Sequence, residues 1–137
     1  IEVPRGLNHG DFSVSNLRIG DEAELGLIDW ESSVTHGVPI LDAINYLDSV
    51  LRLSNPGQLI NRTLPALARG EGLMSSERRL LAALQEFFVV DPKMHEALCY
   101  LRWLRHVGYL SHHWLRQDLP AQRVFIHEVI AGLPPAT

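Results

Sequence analysis

The stretch that decides the fold runs His9-Gly10-Asp11-Phe12-Ser13-Val14-Ser15-Asn16, and after Leu17-Arg18-Ile19 and Gly20-Asp21 it continues as Ala23-Glu24-Leu25-Gly26-Leu27-Ile28-Asp29-Trp30-Glu31. Extended, apolar-rich segments flank the Gly20-Asp21 turn signal, which predicts a β-hairpin whose second strand ends at Asp29-Trp30-Glu31. Arg5-Gly6-Leu7-Asn8 predicts a further short strand ahead of it. A turn that presents Asp11 and then Asn16, with Asp29 at the end of a returning strand, can converge three oxygen ligands on one side of the hairpin. Phosphoryl transfer needs such a set. One carboxylate orients the attacking hydroxyl and takes its proton, while an amide oxygen and a second carboxylate hold magnesium against the phosphates.

Beyond residue 39 the hydrophobic period changes from two to about 3.6. Pro39 suits a first helical position, and Ile40, Ile44, Leu47 and Leu51 form one apolar stripe on a helix ending near Ser54-Asn55-Pro56-Gly57. A helix over residues 59–68 is interrupted by Pro65 and ended by Gly70 and Gly72. Ser75 or Ser76 can cap the next, with Leu80, Leu81, Leu84, Phe87 and Phe88 as its buried face. Asp91-Pro92 starts a long helix to about Arg116, with Met94, Leu98, Leu101 and Leu104 at three- and four-residue steps and Gly108 as a site for a bend. A last helix is expected over residues 121–131, before Pro134-Pro135. The expected class is α+β: a short hairpin with its loop, residues 1–38, packed on a helical subdomain, residues 39–137.

The chain of 137 residues is 46% hydrophobic and 20% charged, enough for one small domain and too little for two. No apolar run approaches the roughly 20 residues of a membrane span, and the first residues show neither the basic nor the apolar region of a secretory signal. The lone Cys99 excludes an intrachain disulfide framework and a multi-cysteine zinc site, so a cytoplasmic location is expected. The net charge of -4 is uneven: residues 1–48 hold nine acids against two bases, and the remainder is +3. That acidic front half argues against nucleic acid as a partner and suits a divalent cation or a cationic ligand. The sequence begins without methionine and reaches its densest polar cluster within ten residues, so it reads as a piece of something longer.

His9-Gly10-Asp11 with Asn16, then Ile28-Asp29-Trp30-Glu31, then Gly37-Val38-Pro39-Ile40-Leu41-Asp42, resembles the aminoglycoside phosphotransferase and choline kinase family, whose fold is similar to that of protein kinases. The three motifs stand in the family's order and at its usual spacing. The resemblance implies that Asp11 is the catalytic base, that Asn16 and Asp29 bind magnesium, that His9 braces the catalytic loop, and that Asp42 anchors it from the first helix. It further implies ATP or GTP as phosphate donor and a small-molecule hydroxyl as acceptor. The family's nucleotide-binding lobe, with a phosphate-covering loop and a strand lysine, precedes the catalytic loop and has no counterpart here. Lys93, the only lysine, lies at a helix start far downstream and cannot replace it. The chain is thus expected to be the latter part of a kinase-like C-terminal lobe, partnered by a lobe of the same parent protein and inactive alone.

Two other readings stay open. The missing nucleotide lobe speaks for a non-catalytic, degenerate kinase-like binding module, against which the three intact motifs stand, and His9, Asp11 and Asp29 could serve a metal-dependent hydrolase. Phe12, Trp30, Trp103, Tyr109 and Trp114 are expected to pack, and Cys99 to be a buried small hydrophobe. His36 is expected in a loop. His106 and His113 share a helix face expected to be solvated or partly buried, His112 points about 100° away from it, and Arg102, Arg105 and Arg116 are expected as solvated surface.

Overall fold

The fold was obtained as a computed structural model that describes residues 3–54, 63, 67–114 and 127, with residues 107–114 described by their backbone alone. It is α+β. Among the described residues two small antiparallel sheets precede three long helices: β1 (Gly6–Asn8), β2 (Leu17–Ile19), β3 (Leu25–Leu27), β4 (Val34–Gly37), α1 (Ile40–Ser54), α2 (Ser75–Phe87) and α3 (Pro92–Trp114), and residues 67–69 are helical as well. The expected helix over residues 121–131 lies outside the described residues, as do most of residues 59–68 and the end expected near Arg116.

β2 and β3 form the expected hairpin, with Leu17, Arg18 and Ile19 opposite Leu27, Gly26 and Leu25. The turn is longer than Gly20-Asp21. Gly20 bonds to Glu24 through its N–H and to the Ala23 N–H through its carbonyl, and Ala23 takes φ 63°, which removes it from the strand. The sequence did not announce β4, where a loop containing His36 was expected. Val34–Gly37 instead pairs antiparallel with β1, with Gly6 opposite Gly37 and Asn8 opposite Val34. Four residues with one β-branched pair are too short a run for a period of two to be read, so the partner strand decides the outcome. A Cβ on Gly37 would come 2.4 Å from that of Asn8, which explains glycine there.

α1 buries Ile40, Leu41, Ile44, Leu47 and Leu51, the expected stripe widened by one residue. They pack with Leu67, Ala68, Leu73, Leu81, Val90, Leu98, Cys99 and Trp103 in one core. Full burial of each Leu or Ile side chain there contributes about 1.5–3 kcal/mol before conformational entropy is counted. α2 departs from its expected cap and face. Ser75 and Ser76 lie inside the helix; the cap is the Glu77 carboxylate, which reaches back to the Met74 N–H at 2.6 Å. Leu80 and Phe87 are exposed, and Glu77, Leu81, Leu84 and Phe88 form the inward stripe. α3 starts as expected, with the Asp91 carboxylate accepting the Met94 N–H at 2.8 Å. Its inward face is His95, Leu98, Cys99 and Trp103, while Leu101 and Leu104 are exposed, and it runs through Gly108 without a break. Among the described residues no helix is long and apolar enough to cross a membrane.

Candidate active site

The loop between β1 and β2 holds Asp11 by contacts that begin at Gly10. Gly10 has φ 86°, the left-handed region that a side chain disfavours, and a Cβ there would meet the Ser32 carbonyl oxygen at 2.3 Å. This turn sends two successive backbone N–H groups toward α1. His9 donates to Asp42 Oδ2 at 2.5 Å, and Gly10 to Asp42 Oδ1 at 2.9 Å. Both oxygens of one carboxylate are thereby used to fix the peptides ahead of Asp11.

His9 is 3% exposed and bridges three segments. Its Nδ1 accepts the Asp11 N–H at 3.3 Å, so its Nε2 carries the proton that goes to the Ile28 carbonyl at 2.9 Å. The ring lies against Trp30 with centroids 4.6 Å apart, and the Trp30 Nε1–H donates to Leu27 at 2.8 Å. With both nitrogens engaged, His9 has no lone pair to give a metal, which speaks against the hydrolase reading. Among the described residues no group of three or more His, Cys, Asp and Glu side chains is arranged to hold an ion.

Asp11 itself is exposed, and each of its carboxylate oxygens receives a side-chain amide. Asn16 Nδ2 donates to Oδ2 at 3.3 Å and to the Asp11 carbonyl at 2.9 Å. Asn45 Nδ2 reaches Oδ1 at 3.4 Å and the Phe12 carbonyl at 2.9 Å. A short 3-10 turn, Val14–Asn16, carries Asn16 inward and is tied to α1 by the Val14 N–H on Ser49 Oγ at 3.1 Å. Phe12 stacks on Tyr46 at 5.2 Å, the packing role expected of it.

His9, Asp11, Asn16 and Asp42 thus form one hydrogen-bonded unit. Asp29 lies beside it rather than in it. The Ile28 N–H bonds to the Asn16 carbonyl at 3.0 Å, so the residue just before Asp29 is fixed to the residue that bears the amide. Asp29 is exposed at φ 64°, and its carboxylate makes no hydrogen bond or ion pair to a described residue. Neither Asn16 nor Asp29 lines the two clefts that Asp11 borders.

The first of those clefts, about 340 Å³, lies between the loop residues Gly10 and Asp11, with Asp42 of α1, and the α3 residues Arg102, Arg105 and His106. The second, about 400 Å³, also has Asp11, Arg102 and His106 in its lining. Arg102, expected on the solvated helix face, is partly buried and gives both Nε, at 3.1 Å, and Nη2 to Asn45 Oδ1. Burial pushes the His106 imidazole down to about 4, with repulsion from Arg102 and Arg52 adding to it, so the ring facing Asp11 is neutral at ordinary pH.

Asn45 and Ser49 were missed in the sequence. Their signal was the helix period: with Asp42 they stand at i, i+3 and i+7 and form a polar stripe on α1 that faces the loop. Arg102 had no such signal, because an arginine on an amphipathic helix reads as surface. No family model, no curated protein and no solved structure matches this chain.

Proposed function

We propose that this chain carries the catalytic loop of a kinase-like phosphotransferase, the latter part of its C-terminal lobe, which moves the terminal phosphate of ATP or GTP to a hydroxyl of a small molecule. The observation that carries the reading is the state of Asp11: an exposed carboxylate at the edge of a cleft, each oxygen oriented by an amide, on a loop whose backbone is pinned by Asp42 and His9. That is the preparation a general base needs, because a hydroxyl arriving in the cleft meets an acceptor already held in place.

The donor set fits magnesium. Asn16 spends its Nδ2 on Asp11, which leaves Oδ1 with no described donor, and Asp29 is an exposed carboxylate with no partner among the described residues, on the segment tied to Asn16. Amide and carboxylate oxygens are the hard ligands magnesium takes, with waters and substrate phosphates completing its shell. When bound, the ion would neutralise charge on the phosphates; Asp11 orients the acceptor hydroxyl and takes its proton.

In this reading the lobe that covers the nucleotide belongs to the parent protein, which we place in the cytoplasm. The test is to incubate the intact parent with magnesium and γ-labelled ATP or GTP over a panel of small hydroxyl compounds. Label appearing in a phosphate ester of one of them is the expected result; label released only as inorganic phosphate, or retained throughout, rejects the reading.

A further inference from the structure

We propose that Arg102 is a positioning residue for Asp11, acting through the side-chain amide of Asn45; the proposal rests on the phosphotransferase reading. A guanidinium only donates, so its two bonds to Asn45 Oδ1 fix which end of that amide faces which neighbour. The oxygen is turned to Arg102. The nitrogen is therefore turned to the loop, where it serves the Phe12 carbonyl and Asp11 Oδ1. Asn45 is 3% exposed, so no water readily replaces a lost partner. Without Arg102 the amide could rotate by half a turn, and its oxygen would then face a carbonyl and a carboxylate.

Charge adds to orientation. The cation polarises the amide and strengthens its N–H as a donor to the carboxylate. Among the described residues Arg102 makes no ion pair with a carboxylate within 4.0 Å, so Asn45 is where its hydrogen bonds go. Arg102 comes from α3, Asn45 from α1, and Asp11 from the loop; the link thus couples the helical packing to the placement of the proposed base. Its position in the lining of both clefts beside Asp11 fits the same role.

The test is a set of variants in the parent enzyme. Arg102→Gln and Asn45→Ala should each lower kcat by about 10- to 100-fold while the KM for nucleotide stays within about twofold, as misplacement of a catalytic group does. The double variant should lose no more than Asn45→Ala alone, because Arg102 acts through Asn45; losses that multiply overturn the proposal. Asn45→Asp keeps an acceptor for Arg102 but turns an oxygen to the Phe12 carbonyl and to Asp11, so kcat and the thermal midpoint should both fall, and a wild-type kcat in it overturns the proposal. The Asp11 carboxylate carbon resonance, followed in the 137-residue chain, reads the link without turnover. It should move in Arg102→Gln, and an unmoved resonance overturns the link. A moved resonance beside an inactive wild-type parent would uphold the link and reject the phosphotransferase reading instead.

Discussion

Asp42 and His9 are 33 residues apart in the chain, yet the Asp42 carboxylate accepts the His9 backbone N–H at 2.5 Å. Its other oxygen takes the Gly10 N–H at 2.9 Å, so a single side chain on the first turn of α1 holds the backbone that leads into Asp11. Asp42→Ala should leave two part-buried donors unserved, at a cost of about 1–3 kcal/mol for each. Asp42→Asn should cost less, because its amide still offers one oxygen. Urea unfolding midpoints rank the three proteins, and equal midpoints would show that the carboxylate does not hold the loop.

Gly10→Ala should be more damaging than its size suggests. The left-handed backbone costs a side chain about 1–3 kcal/mol, and the new Cβ would lie 2.3 Å from the Ser32 carbonyl oxygen, which is backbone and cannot swing aside. The loop must shift. The expected readout is a lower thermal midpoint together with loss of the Trp30 environment, since His9 and Trp30 are in ring contact. A variant with the wild-type midpoint and fluorescence contradicts this geometry.

Acid should destabilise the fold through His95. Burial lowers its proton affinity below the ordinary 6.5, only partly offset by the Leu67 carbonyl and by Glu96. As pH falls through about 6.5 the unfolded chain takes up a proton that the folded one refuses, so stability declines by at most about 1.4 kcal/mol per pH unit from this ring. His106 is shifted in the same direction, whereas burial raises the Asp48 carboxyl and gives the opposite slope. His95→Gln can still donate to Leu67 but cannot titrate. It should flatten the decline measured between about pH 7.5 and about 5.5, and an unchanged slope would mean that His95 is not its source.

Cys99 should be inert in the folded chain. It is 0% exposed, and burial, with Asp48 and Glu96 adding to it, pushes its thiol up to about 12. A thiol reagent at neutral pH should label it only after denaturant is added. Rapid stoichiometric labelling of the native protein would contradict its burial.

Much of this fold was legible because α1 and the β2–β3 hairpin are locally coded. Ile40, Ile44, Leu47 and Leu51 repeat at the helical period, and the Gly20-Asp21 signal does mark the hairpin turn. β4 was illegible for the opposite reason: its four residues are strand only because β1 lies beside them. Leu80 and Phe87 lie at the margin of a stripe whose Leu81, Leu84 and Phe88 do turn inward, whereas on α3 Leu101 and Leu104 lie well round the helix from His95, Cys99 and Trp103; periodicity fixes a stripe's existence better than its centre. At the site, a shared place for His9, Asp11, Asn16 and Asp42 was implied by the family resemblance and was not legible in the residues' own spacing. Nor was that of Arg102, because its partner Asn45 is 57 positions away and only packing of α3 on α1 brings them together.

The most direct measurement compares Asp11→Asn and Asp29→Asn in the intact parent, reading turnover and nucleotide affinity for both. Asp11→Asn is expected to lose most turnover while binding nucleotide almost normally, because the lost carboxylate serves the acceptor hydroxyl. Asp29→Asn is expected to weaken magnesium-dependent nucleotide binding as well as turnover, because it removes a negative charge from the ion's ligands. Near-normal turnover in Asp11→Asn, or equal loss of nucleotide affinity in the two variants, would contradict the assignment of Asp11 as the base and Asp29 as the metal ligand.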